Sequence, residues 1–135
     1  MNHVSIPLLF IRLGVGLSFL GHGLVRLPKL HAFSEWMTTL FAASPLPQFL
    51  VEPFSYALPV AEFVVGLLLV LGLFQKQAAV AGAIVMLFLV FGSCLIEEWS
   101  AIPSQFLHIL FLAILLTQTK ANAYSIDHLL KKQTL

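Results

Sequence analysis

Four long apolar stretches separated by short polar breaks dominate the chain, at about residues 6–27, 54–74, 78–96 and 102–117. Each is near the roughly 20 residues that carry a helix across a hydrocarbon layer, the fourth being the shortest. The pattern predicts an all-α membrane protein, a four-transmembrane-helix bundle. Residues 31–43 read differently. Phe33, Trp36, Met37, Leu40 and Phe41 recur there at helical spacing, with His31, Glu35, Thr38 and Thr39 between them. This segment is too short and too polar to cross, and predicts an amphipathic interfacial helix or lid with Trp36 at headgroup depth. Pro45, Pro47 and Pro53 then act as breakers before the second span. Spans two and three are joined by Gln75, Lys76 and Gln77, so they are antiparallel neighbours. Glu97, Glu98 and Trp99 mark the turn between spans three and four. Beyond Lys120 the polar tail predicts a short surface helix, with Ser125 as N-cap and Lys132 near its end.

Composition agrees with the pattern. The 135 residues are 59% hydrophobic and 10% charged, against about 25% charged in soluble domains. The mean hydropathy is +0.97. The length suits one domain over residues 1–135. The first ten residues hold no Lys or Arg, and Arg12 interrupts the first apolar run, so that run reads as a retained span and not a cleaved signal. No basic patch with interleaved aromatics is present, which argues against nucleic acid as a partner. Cys94 is the single cysteine, so no intrachain disulfide, redox pair or close Cys/His metal cluster is expected. Lys76, Lys120, Lys131 and Lys132 fall on the side of both termini, against Arg26 and Lys29 on the other, which predicts cytoplasmic termini.

Glycines suggest where helices touch. Gly14 and Gly21, and likewise Gly16 and Gly23, form two columns on neighbouring faces of span one. Arg12, Gly16, Phe19, Gly23 and Arg26 share one face, expected to turn inward. Gly66 in span two and Gly82 in span three (with Ala78) are further packing candidates.

The candidate chemistry lies in the polar residues inside the spans. Glu62 stands in an almost wholly apolar run, where an unpartnered carboxylate costs roughly 2.5–3.5 kcal/mol. With four straight crossings at about 1.5 Å per residue, Arg12 lies roughly 10 Å deep, and Glu62 and His108 both about 16 Å. Arg12, Glu62 and His108 are therefore expected to meet near the midplane, as a ligand site, a proton relay or a structural ion pair. His22, Cys94 and Gln105 form a second polar level beyond them.

RLGVGLSFLGHGLVRL in span one, followed by PVAEFVVGLLLVLGLFQKQAAVAGAIVML across spans two and three, resembles the DoxX family of small bacterial membrane proteins. Arg12, Gly16, His22, Gly23, Glu62, Gly66 and Gly72 occupy the positions that carry the resemblance, which extends over most of residues 10–117. It implies a four-helix bundle in a bacterial inner membrane. It also implies redox-linked membrane assemblies, since a related subunit serves an archaeal thiosulfate:quinone oxidoreductase. The residues themselves fix no cofactor, a quinone being the candidate the resemblance offers, and the expected partners are the lipid bilayer and either another protein or further copies of the chain. Any enzyme activity would require such a partner. Two other functions stand beside this one. One is a non-catalytic anchor or assembly partner docking through residues 31–43. The other is a small transporter or channel, for which no inverted repeat is visible.

Overall fold

The computed structural model describes residues 5–118 and 124–133. Its helices are α1 (Ser5–Arg26), α2 (Leu30–Leu40), α3 (Gln48–Leu71), α4 (Gln75–Leu95), α5 (Ile102–Thr117) and α6 (Ile126–Gln133), and no strand occurs among the described residues. Four stretches are long and apolar enough to cross a membrane: Ile6–Leu40, Gln48–Leu71, Gln75–Leu95 and Trp99–Thr117. The first joins α1 to α2 through a 3-10 turn at Leu27–Lys29, where Pro28 sits; the last joins the 3-10 turn Trp99–Ala101 to α5.

α1 and α3 form a closely packed antiparallel pair. A Cβ on Gly66 would lie 2.2 Å from the Leu20 backbone nitrogen, and one on Gly23 2.5 Å from that of Phe63. Nothing larger than hydrogen fits at either place, so the two backbones touch there. Gly16 meets Leu69 and Val70 and completes the register. The other glycine column behaves differently: nothing lies within 4 Å of a Cβ at Gly14 or Gly21. That column sits beside the contact face and packs against no other helix.

α2 prolongs this pairing past the 3-10 turn. Ser34 Oγ and Ser55 Oγ, both buried, are 2.6 Å apart. Gln48 Nε2 donates to the Thr38 carbonyl at 3.1 Å, and His31 Nδ1 shares a 3.0 Å hydrogen bond with the Tyr56 hydroxyl. Met37 and Phe41 pack with Val51 and Leu58 of α3. The amphipathic segment is thus tied down along α3 at three levels.

α3 begins six residues before the expected boundary and carries Pro53 inside it. Proline cannot donate to the carbonyl four residues back, but this loss is a single bond near the helix start. The burial of Val51, Ser55 and Leu58 along one face outweighs it. Pro47 stands at the N-cap position in an extended conformation.

α4 and α5 complete the bundle. Phe19 of α1, Leu69 of α3, Ala79 of α4 and Leu112 of α5 meet in one core. Gly82 lies where Val65, Leu112 and Phe19 converge, 3.2–3.4 Å from its would-be Cβ. α5 is the outermost span, with Leu112 and Leu115 as its buried residues.

α6 docks against the α3–α4 turn. The Phe74 and Gln75 N–H groups donate to the two carboxylate oxygens of Asp127, each at 2.9 Å. The Asp127 N–H donates to the Gly72 carbonyl at 3.1 Å. Phe74 is left-handed (φ 48) and has no capping side chain of its own, so α4 takes its cap from Asp127. Ser125 Oγ accepts from the His128 N–H at 3.2 Å, as an N-cap does.

Candidate functional site

Helix register decides which charges meet. With Gly16 on Val70 and Gly23 on Phe63, Arg26 comes opposite Glu62, while Arg12 comes opposite the α3–α4 turn. Arg26 Nη1 donates to both Glu62 oxygens at 2.7 Å. The Glu62 side chain is 3% exposed and that of Arg26 25%. The Arg26 guanidinium also lies over the Phe33 ring, 4.7 Å from its centroid. This cation–π contact and the carboxylate together hold the arginine in place.

Arg12 therefore does not join Glu62. Its Nη2 donates to the Tyr124 carbonyl at 2.7 Å, and its guanidinium packs on Gly72, where a Cβ would lie 2.7 Å from Nη1. Gly72 is ten residues beyond Glu62, or about 15 Å along a helix. The expected depths assumed that α1 and α3 end level. The glycine contacts instead slide them past one another by more than a turn, and Arg12, itself buried, comes to the α3–α4 turn, where its guanidinium meets the Tyr124 carbonyl.

His108 does lie on the Glu62 side. Its Nδ1 is 2.8 Å from the Ser104 carbonyl and its Nε2 is 2.8 Å from Ser18 Oγ, so it bridges α5 to α1. Phe19 packs edge-on against its ring at a centroid distance of 5.8 Å. His22, one turn beyond Ser18, sets its Nδ1 2.7 Å from the Ser18 carbonyl. Ser18, His22 and Arg26 thus form a polar column on α1, facing Gln105 and His108 on α5.

Between these columns lies a cavity of about 580 Å³. Arg26, Glu62, His22, His108, Ser18 and Gln105 all border it. Phe33, Trp36, Met37, Phe54, Leu58 and Met86 are among its apolar walls. Gln105 Nε2 donates to Ser93 Oγ at 2.9 Å, whereas its buried Oε1 has no hydrogen-bond partner. The two expected polar levels therefore merge in one chamber, without Arg12 and Cys94; Ser93, beside the cysteine, borders it instead. Arg26 was the residue missed, because at the end of span one it was counted with Lys29 among the charges that set orientation. The periodicity that put it on the inward face with Gly23 was the available signal. No group of three or more His, Cys, Asp or Glu arranged to hold a metal occurs among the described residues.

Four helices long and apolar enough to cross a membrane, around an apolar-walled chamber with a polar rim and the Arg26–Glu62 pair, define the class, a small integral membrane helix bundle. Within that class the chain belongs to the DoxX family, whose match covers residues 7–93. The matched region includes His22, Arg26 and Glu62, while Gln105 and His108 lie beyond it on α5. No curated protein and no solved structure matches the chain.

Proposed function

We propose that this DoxX protein is the membrane subunit of a quinone-linked oxidoreductase or redox-stress complex and that its cavity holds a quinone head. The observation that carries this reading is the chamber itself. Its volume of about 580 Å³ falls in the roughly 300–1,000 Å³ range of small-molecule sites, and its apolar walls with a few convergent polar groups suit a lipid-soluble ring. The N–H groups that Arg26 keeps beyond Nη1 would face the ring's carbonyl oxygens, with Ser18 and His22 along its polar edge and Phe33, Phe54 and Met86 at its faces. A bound quinone supplies two-electron, two-proton chemistry that no side chain here provides. His108 Nε2 and the Glu62 carboxylate, held by Arg26, are the groups placed to take or return protons. The protein would lie in a bacterial inner membrane with both termini cytoplasmic. Arg12 supports that orientation, since it lies at the end of the bundle that also carries Lys76.

The test is solvent extraction of the protein purified in native-lipid nanodiscs, with quinone measured by mass spectrometry beside a Glu62→Gln variant. Stoichiometric quinone in the wild type that falls in the variant is expected. Quinone in neither sample overturns the reading.

A second reading, a non-catalytic anchor for a protein partner, is favoured by α2. That helix is fastened to α3, yet presents Glu35, Trp36 and Thr39 outward. Site-specific crosslinking from those three positions in whole cells tests it. A single crosslinked protein is expected, and crosslinks to lipid alone count against the anchor.

A further inference from the structure

α6 is an amphipathic helix fixed at one end of the bundle. Asp127 ties it to the turn between Leu71 and Gln75, which joins two helices long and apolar enough to cross a membrane. α6 is therefore held where the hydrocarbon layer gives way to headgroups. At about 100° per residue, Ile126, Leu129 and Leu130 share one face, while Asp127, His128 and Lys131 share the other. Leu129 is 61% exposed and Leu130 51%. Exposed leucines along one side of a short helix with a charged opposite side are the pattern of a helix lying in the membrane surface. Phe74 and Tyr124, at the same end, are exposed as well, as aromatic side chains at a membrane–water interface are.

The two ends of the bundle differ in charge. Glu35, Glu52, Glu97 and Glu98 are all exposed, and all lie at the end away from α6. At the α6 end, the carboxylate among the described side chains is Asp127, and the Phe74 and Gln75 N–H groups engage it. Lys76 and Lys131 are exposed there. The surface around α6 thus offers ammonium groups beside exposed leucines, with no exposed carboxylate among the described residues to compete for them.

From this juxtaposition we infer that the α6 end of the bundle binds anionic phospholipid. Leu129 and Leu130 enter the acyl boundary, and Lys76 and Lys131 meet the headgroup phosphates. A zwitterionic headgroup carries the same phosphate but cancels its charge with an ammonium of its own, so the lysines favour the anionic lipid. A lysine near an anionic membrane surface is worth about fivefold in affinity. The inference goes beyond the quinone reading and does not depend on it, since α6 lies at the other end of the bundle from Glu62 and Arg26.

Two measurements on the full chain test it. In the first, the protein is equilibrated in micelles with equal phosphatidylglycerol and phosphatidylcholine, and the lipid it retains is read by mass spectrometry. Phosphatidylglycerol is expected in excess, by about fivefold for each lysine engaged. The Lys76→Gln/Lys131→Gln double variant should lose that excess while unfolding at the wild-type temperature in neutral detergent, because both lysines are exposed. Equal retention of the two lipids, or an excess that the double variant keeps in full, overturns the inference. In the second, a nitroxide is attached at Leu129→Cys in a Cys94→Ser background, in nanodiscs containing phosphatidylglycerol. The label is expected to collide with dissolved oxygen more than with a water-soluble nickel reagent, as a group inside the acyl boundary does. Preferential collision with nickel places Leu129 in water, leaves that face to a protein partner, and overturns the inference whatever the lysine variant shows.

Discussion

Arg26 Nη1 lies 2.7 Å from each carboxylate oxygen of Glu62, joining the last turn of α1 to the middle of α3. The pair neutralises the acidic residue within a span and does so at the wall of the cavity. Removing either partner therefore touches stability and site together, but not equally.

Arg26→Ala leaves a 3%-exposed carboxylate without its cation. Breaking one side of a buried pair costs about 3–5 kcal/mol, and the partial exposure of Arg26 places the expected loss near the lower end. Glu62→Gln leaves a 25%-exposed guanidinium that can turn toward water, and should cost less. Replacing both by leucine should restore most of the stability lost in Arg26→Ala. Thermal unfolding of the three variants in one detergent checks the order. Equal destabilisation by both single changes would contradict it.

The two glycine columns of α1 should respond in opposite ways. Gly23→Ala, and likewise Gly66→Ala on α3, places a methyl 2.5 Å or less from a facing backbone nitrogen. Separating the helices to admit it should cost about 1–3 kcal/mol or more. Gly14→Ala and Gly21→Ala meet nothing within 4 Å, and should be neutral or stabilising by about 0.5–1 kcal/mol through reduced backbone freedom. The same unfolding measurement separates the two sets.

Asp127→Ala removes the cap that α4 lacks locally. A loss of about 1 kcal/mol is typical for a capping side chain. Hydrogen exchange gives a more specific readout, because the Phe74 and Gln75 amides both donate to Asp127. Those two amides should exchange faster in the variant, with the Glu62 region of α3 unchanged. Unaltered exchange at Phe74 and Gln75 would show that α6 does not hold the turn.

Much of the architecture was legible in hydropathy, because a bilayer makes strong local demands. A crossing helix must be apolar over a set length, so runs such as 78–96 declare themselves without knowledge of their neighbours. Ser125 as a cap and the amphipathic segment after span one were readable for the same reason, since both depend on residues three or four apart. Pro53 misled because a proline in the second turn of a helix looks like a terminus until the burial of Val51, Ser55 and Leu58 is counted.

The site was legible only in part. Glu62, His22, His108 and Gln105 were singled out by polarity inside apolar runs, and they do border one cavity. Which arginine serves Glu62 was beyond the sequence. Arg12 and Arg26 are the same residue type, fourteen positions apart on one face of one helix. The choice between them is the axial offset of α1 against α3, set by where Gly16, Gly23 and Gly66 admit a facing backbone. The sequence by itself thus determined the membrane-crossing segments, their order and the polar groups within them, because each follows from local transfer energetics. Only the tertiary structure decided the pairing of Arg26 with Glu62, the docking of Arg12 at the α3–α4 turn and the gathering of His22, His108 and Gln105 around one chamber, because steric fit between backbones distant in sequence has no one-dimensional signature.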